Sequence, residues 1–111
     1  MLKLYLDDVR DAPEGYTLYR PADLSVFYMM VPSADVISLD HDLGLDPLGV
    51  EYPNGYQVLC VLEGWLHTGK WLPVVLPEFQ IHSANPVGIV NMERVIKSMR
   101  RFYDAQQQEE N

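Results

Sequence analysis

The stretch that decides the fold is Val36-Ile37-Ser38-Leu39-Asp40-His41-Asp42. Its first four residues form a short run rich in β-branched and apolar side chains, which is typical of a buried strand. The run ends abruptly in Asp40, His41 and Asp42, three polar side chains that rarely lie in an apolar core. We therefore predict a buried strand whose carboxyl end carries polar chemistry.

The same pattern of an apolar run ending in polar side chains occurs twice more. Leu2–Leu6 leads into Asp7 and Asp8, and the predicted strand Glu78–His82 leads into Ser83. In open α/β folds, the carboxyl ends of neighbouring parallel strands converge on one crevice. If the three segments are neighbouring strands, their acids, two imidazoles and a hydroxyl share one pocket.

The remaining segments predict one more strand and three helices. Tyr16–Arg20 is β-branched and aromatic, as in a strand. Helices are predicted at Pro21–Val31, Gly55–His67 and Pro86–Ala105, where apolar residues recur at helical spacing. Residues 106–111 are polar and are predicted to form a frayed tail.

The order β-β-α-β-α-β-α predicts an α/β three-layer sandwich with about four mostly parallel strands and three main helices. We expect a single domain over residues 1–105, because a chain of 111 residues can bury one core but not two. Only about nine residues join the first two strands, whereas a parallel crossover needs roughly a dozen. The second strand therefore pairs differently, or the first helix is reduced to a turn.

The charge balance argues against two classes of partner. Sixteen acidic and eight basic residues give a net charge of −8, which disfavours diffuse binding to nucleic acid or to anionic membranes. There is no leader pattern and no apolar stretch of membrane-spanning length. A single cysteine, Cys60, suits a reducing compartment, so we expect a cytoplasmic protein.

Four aspartates are candidate metal ligands: Asp7, Asp8, Asp40 and Asp42. Any one Asp after a strand more often caps a turn or a helix. Two acid clusters at the ends of two apolar strands favour a cation, because close carboxylates repel one another unless they are neutralised. The expected cofactor is a divalent cation, Mg²⁺ in the first place and Mn²⁺ as the alternative.

His41 and His82 lie at equivalent strand exits and are, with Asp40, the candidate catalytic residues. Two imidazoles beside one site suit general acid–base work on a phosphodiester, because their pKa lies near neutrality. Alternatively, one imidazole joins the acids as a ligand for a transition metal. Taken singly, each histidine is more often a half-buried structural residue.

A phosphate site is predicted at the start of the last helix, whose N-terminus attracts anions. The candidate contacts are Ser83, Asn85, Gly88 and Arg10. Gly88 permits close approach to the first turn, together with the backbone N–H groups of residues 87–89. Arg10 is placed to clamp a phosphate or to remain a solvated loop charge.

At these positions the chain resembles the response-regulator receiver fold. Receivers carry an acid pair after the first strand, a phospho-accepting Asp after the third, and Ser or Thr with a small residue after the fourth. Asp7-Asp8, Asp40 and Ser83-Ala84 stand in those places. No Lys follows a fifth strand, a departure that speaks against phosphorelay signalling.

The chain is more similar to the cyclic-phosphate-processing receiver-like family, a derived branch of that fold. The matching motifs are residues 4–10 (LYLDDVR), 38–44 (SLDHDLG), 54–56 (NGY), 82–88 (HSANPVG) and 91–92 (NM). The resemblance implies a truncated receiver- or flavodoxin-like fold. It also implies processing of cyclic phosphates at RNA ends or in nucleotides, so the expected partner is a phosphorylated or cyclic-phosphate small molecule or an RNA end.

Three functions remain open from the sequence. The first is a metal-assisted phosphoesterase that opens a cyclic phosphate. The second is a receiver-like or pseudo-receiver signalling module with Asp40 as acceptor. The third is a non-catalytic interaction protein of a mobile element. Tyr52, Trp65 and Trp71 would then form its interface, although aromatic residues on and beside a helix more often belong to the core. The oligomeric state is left open.

Overall fold

A computed structural model describes residues 1–110 of the chain. The elements, in chain order, are β1 (Lys3–Leu6), β2 (Thr17–Tyr19), α1 (Leu24–Met30), β3 (Val36–Leu39), α2 (Gly55–Thr68), β4 (Glu78–Ile81) and α3 (Pro86–Glu110). Two short 3₁₀ turns, Pro21–Asp23 and Val31–Ser33, flank α1. Every predicted strand and helix is therefore present, with small differences at most of the ends.

The four strands form one sheet in the order β2-β1-β3-β4, and all three neighbouring pairs are parallel. The predicted α/β fold of the receiver type is confirmed. Strand β2 joins β1 through a loop with no helix, in which Pro13 and Gly15 form a turn and Gly15 has φ of 87°. The first crossover helix is thus reduced to a turn, the second of the two alternatives above.

All three helices pack on one face of the sheet. The buried core on that face joins strand residues to helix residues, among them Leu4, Leu6, Ile37, Leu39, Phe27, Leu59 and Met99. The crossovers β2–β3 and β3–β4 run in the same direction across the sheet, and right-handed crossovers of one direction place their helices on one face. The sandwich therefore has two layers instead of the predicted three, because the reduced first crossover supplies no helix to the other face.

Long polar and aromatic side chains cover the face without helices. Tyr5 projects from this face, is only 6% exposed, and meets the ring of Tyr16 edge-on with centroids 5.9 Å apart. The Tyr16 hydroxyl donates to Oε1 of Gln80 at 2.8 Å, and the Lys3 ammonium lies 5.3 Å from the Tyr16 ring centroid. This side-chain layer shields the middle of the sheet where other α/β folds place helices.

Helix α3 is longer than predicted. It continues to Glu110, so residues 106–110 are helical and not a frayed tail, while Asn111 lies outside the described residues. Glutamine and glutamate are good helix formers, and no Gly or Pro interrupts them. The second half of α3 is held by Phe102, whose ring stacks on His67 of α2 at 4.2 Å, and by a hydrogen bond from the Tyr103 hydroxyl to the Val74 carbonyl.

Helix α2 begins directly beside the end of β3. The Asn54 side chain accepts from the Gln57 N–H, and the Gln57 side chain accepts from the Asn54 N–H, which forms a capping box. The Gly55 N–H donates to the His41 carbonyl at 2.8 Å. A Cβ on Gly55 would lie 2.1 Å from the Asp40 carbonyl oxygen, so only glycine permits this approach.

Two glycines of α2 make a matched test of that contact. We expect Gly55→Ala to destabilise the fold by about 1–3 kcal/mol or more, because the methyl group collides with backbone. Gly64 is exposed with nothing within 4 Å of an added Cβ, so Gly64→Ala should stabilise it by about 0.5–1 kcal/mol. Urea unfolding of both variants measures the difference, and equal effects would contradict the packing described.

Candidate functional site

The site is built from the residues that directly follow the four strands. The last paired residues of the strands are Leu6, Tyr19, Leu39 and Ile81. Their successors in the chain are Asp7, Arg20, Asp40 and His82. Because the strands are parallel and end level, these four polar residues form a single row along the carboxyl edge of the sheet. The predicted convergence of Asp7, Asp40 and His82 is thus present.

Asp7 is the anchor of this row and is fully buried. Its Oδ1 accepts from the backbone N–H groups of Val9 at 2.8 Å and Arg10 at 2.7 Å, and its Oδ2 lies 3.0 Å from Nε2 of His82. Burial raises the pKa of the carboxyl, but the two backbone N–H donors, the adjacent His82 imidazole and the charge of Arg10 together outweigh it, so the pKa lies below its usual value. Asp7 is therefore held as a carboxylate.

His82 has a partner on each ring nitrogen. Its Nδ1 lies 2.7 Å from the Ser38 hydroxyl oxygen, while Nε2 faces Asp7, and its ring stacks on Tyr5 with centroids 4.0 Å apart and an interplanar angle of 4°. Burial lowers the pKa of His82 more than the charges of Asp7 and Asp40 raise it. The neutral ring accordingly donates from Nε2 to Asp7 and accepts the Ser38 hydroxyl proton at Nδ1.

Three carboxylates approach one another beside this pair. Asp7, Asp8 and Asp40 each offer an oxygen, and the three oxygens lie within 4.8 Å of one another. Burial raises the pKa of Asp40, and the negative charge of Asp7 raises it further. A set of oxygen donors at this spacing matches the preference of Mg²⁺ and Mn²⁺ for carboxylate ligands.

Asp42, the fourth predicted ligand, lies outside this group. Its side chain is 70% exposed, and its Oδ1 lies 2.9 Å from Nδ1 of His41. The geometry therefore corrects the predicted set of four acids to three, because the side chain two positions beyond Asp40 turns to the neighbouring imidazole.

His41 lies against the start of α3. A Cβ on Gly88 would be 2.5 Å from two ring carbons of His41, so the ring packs directly against Gly88 and leaves no room for a side chain there. Its Nδ1 contacts Asp42 and also lies 3.4 Å from the Asn85 side-chain nitrogen. Nε2 of His41 has no hydrogen-bond partner within residues 1–110. His41 is thus oriented through one nitrogen, while the other has no partner in the described part of the chain.

The predicted phosphate contacts at the start of α3 also serve local structure. The Asn85 side chain accepts from the Gly88 N–H at 3.0 Å, and the Ser83 hydroxyl oxygen accepts from the Asn85 N–H at 3.1 Å. The Ile89 N–H is taken by the first helical hydrogen bond, to the Asn85 carbonyl. Of residues 87–89, only Val87 keeps an N–H without a partner in the described part of the chain.

Two arginines tie the loop after β1 to the rest of the site. Arg10 donates to the His82 carbonyl at 2.9 Å, which places its charge close to Asp7 and Asp40. Arg20 donates to the carbonyls of Asp7 at 3.3 Å and Arg10 at 2.8 Å. The loop that carries the acid pair is therefore held from two sides.

Comparison with known protein families now decides the relationship. The family model of the cyclic-phosphate processing receiver domain matches residues 2–98, a range that contains every residue of the site. The chain belongs to this family. The resemblance read from the sequence motifs is therefore confirmed. No curated protein and no solved structure gives a significant match to the chain.

Three residues of this receiver domain's site were missed by the sequence reasoning. Tyr5 and Ser38 precede Asp7 and Asp40 by two positions, so the period of two in a strand places them on the same side. Arg20 follows β2 as Asp7 follows β1, and the same strand-end rule identifies it. None of the three is an acid or a histidine, so the search for metal ligands and proton carriers did not select them, although their positions in the strands mark them.

The aromatic residues proposed for an interaction surface are not equally available. Trp71 is 5% exposed and belongs to the core, the more common position for an aromatic residue beside a helix, so it is excluded from an exposed interface. Trp65 is half-buried and packs against Tyr28 with ring centroids 5.4 Å apart.

Among helices within residues 1–110, none is long and apolar enough to cross a membrane.

Asp40 makes the fold less stable at neutral pH. Its pKa is raised in the folded state, so the folded protein binds the proton more tightly than the unfolded chain and loses stability as pH rises through that pKa. We expect Asp40→Asn to raise the thermal unfolding midpoint at pH 7 without added cations, and to change little below about pH 4. Thermal unfolding across this range measures both effects.

The exposed Asp104 on α3 provides the matched control. Asp104→Asn should leave the unfolding midpoint nearly unchanged at either pH. A midpoint for Asp40→Asn that falls at pH 7 would contradict the electrostatic description of the cluster.

Proposed function

We propose that this receiver domain is a metal-assisted phosphoesterase that hydrolyses cyclic phosphodiesters. The observation that supports this most is the convergence of Asp7, Asp8 and Asp40, with one oxygen from each inside a 4.8 Å group. The family's description points to the same chemistry. A phosphoryl site needs positioned cations or donors, because charge builds up on the phosphate oxygens.

Asp7, Asp8 and Asp40 would hold the divalent cation, Mg²⁺ or alternatively Mn²⁺. Bound there, the ion would polarise a phosphoryl oxygen and lower the pKa of a bound water. The repulsion between Asp7 and Asp40 favours this, since a cation between two carboxylates removes the interaction that raises the Asp40 pKa. His82 supports the site by orienting Asp7, because both of its ring nitrogens are already engaged.

His41 is the residue best placed to move protons. Hydrolysis forms one bond from a water oxygen to phosphorus and breaks one ring P–O bond, and a proton passes from the water to the leaving alkoxide. The unpartnered Nε2 of His41 can accept and return that proton, while Asp42 accepts from the Nδ1–H and fixes the ring. His82 was predicted as a second proton carrier, and the geometry supports a positioning role better.

The phosphate would lie between the acids and the start of α3. The Ser83 hydroxyl proton and the Val87 N–H are donors at that helix N-terminus. Asn85 and Gly88 would act by shaping this turn and seating His41, and Arg10 would add positive charge beside the acids. We propose a small cyclic phosphate as substrate, in the cytoplasm, where a protein with a single half-buried cysteine is suited to reducing conditions.

The first test concerns the metal site. Asp8→Asn should reduce hydrolysis of nucleoside 2′,3′-cyclic phosphates with Mg²⁺ or Mn²⁺ by about a hundredfold or more, as expected when a metal ligand is lost. The exposed Asp104→Asn, on α3 away from the acids, is the control and should stay within about twofold of the parent activity. Activity and calorimetric Mn²⁺ binding are measured on the same samples.

Inactivity of the parent protein across metals and cyclic substrates would reject this proposal. Stable transfer of phosphate from a small phosphodonor to Asp40, without turnover, would support the signalling function instead.

The second test concerns His41. We expect His41→Gln to lower kcat by roughly 10²–10⁴-fold and to remove one limb of the pH–rate profile, because a general acid–base group is lost. His67→Gln, on the exposed end of α2, should leave both unchanged. An unaltered pH profile in His41→Gln would assign the proton transfers elsewhere.

A further inference from the structure

A cleft of about 430 Å³ opens beside Asp8, next to the acid cluster. The residues that line it include Arg20, Tyr52, Leu43 and Leu45. Small-molecule sites typically have such volumes, with apolar and aromatic walls and a few placed polar groups. Of the residues that line this cleft, only Asp8 belongs to the proposed metal site.

One wall of the cleft is an ordered hairpin. Leu45 and Glu51 form an antiparallel bridge, and the Tyr52 N–H donates to the Gly44 carbonyl at 3.0 Å. The carboxylate of Asp8 touches Gly44, since a Cβ there would lie 3.0 Å from its Oδ2. The hairpin therefore fixes Tyr52 relative to the acids, although it belongs to the long connection between β3 and α2.

Arg20 also lines the cleft and carries a positive charge, which the exposed Asp11 carboxylate approaches at 3.5 Å. The Arg20 guanidinium is held by the carbonyls of Asp7 and Arg10, so it cannot swing freely into solvent. Nucleobases stack on aromatic side chains such as tyrosine and on arginine guanidinium planes. A second cleft, on the Asp42 and Glu51 side of Tyr52, has a volume of about 270 Å³ and would repel an anionic substrate.

We propose that the Arg20–Tyr52 cleft binds the base of a nucleoside cyclic phosphate whose phosphate lies at the acids. This rests on the proposed phosphoesterase function and names its substrate class, a mononucleotide. A longer RNA would bring further phosphates against a protein of net charge −8, which gives an extended strand no favourable electrostatic surface.

The test compares two cyclic phosphates, one attached to a nucleoside and the other to glycerol. Nucleoside 2′,3′-cyclic phosphates carry a base, whereas glycerol 1,2-cyclic phosphate does not. We expect Tyr52→Ala to lower kcat/KM for the nucleotide about tenfold or more, and to leave the glycerol substrate within about twofold. Tyr52→Phe should behave like the parent protein. Tyr56→Ala, at an exposed tyrosine of α2 outside the cleft, is the matched control.

Equal losses of kcat/KM on both substrates in Tyr52→Ala would overturn the proposal, since they would show a structural role. If Tyr52→Ala does not fold, Leu45→Trp, at a 60% exposed wall position, should change the ratio of the two kcat/KM values, and an unchanged ratio overturns it. A preference of tenfold or more for an oligonucleotide with a 2′,3′-cyclic end would also overturn the mononucleotide assignment.

The experiment distinguishes a cleft that does not bind the base from a protein that is not a phosphoesterase. If the parent protein hydrolyses neither substrate, calorimetry with a nucleoside 3′-monophosphate and Mg²⁺ measures the cleft directly. Binding weakened about tenfold or more by Tyr52→Ala would support the cleft without the enzyme. Binding that is absent, or equal in both proteins, would reject the cleft as well.

Discussion

The level carboxyl ends of four parallel strands are the constraint on which the rest of the site depends. Register places Asp7, Arg20, Asp40 and His82 in one row, and the buried Asp7 carboxylate connects that row. A buried charge is tolerated only when it is fully hydrogen-bonded. Two backbone N–H groups and one imidazole satisfy Asp7, so the loop after β1 and the end of β4 are fixed by the same carboxylate.

The loss of the first crossover helix shapes the site as well as the fold. With no helix on one face, Tyr5 is covered by Tyr16 and is free to stack on His82. Ser38 uses the same face to reach the other nitrogen of His82. The two histidines consequently differ in role: His82 is held within the sheet's own polar network, whereas His41 lies on Gly88 with one nitrogen available.

Much of the fold was predictable because its signals are local. Apolar runs marked the strands, and the short first connection already indicated either an unusual pairing of the second strand or a helix reduced to a turn. The two-layer arrangement was not predicted, because the face on which a helix lies depends on strand order and crossover direction. The end of α3 was not predicted, because its last turns are polar. The helix is held there by Phe102 and Tyr103, whose partners are distant in the chain.

The sequence alone determined which chemical groups leave each strand end, because apolar runs and their polar successors are adjacent along the chain. Tertiary structure decided which of those groups meet. Asp42 turns to His41 and Asp8 joins Asp7 and Asp40, although all four aspartates look alike in sequence. Such choices depend on separations of about 3 Å between residues far apart in the chain, and hydrogen bonds and ion contacts weaken steeply beyond that distance.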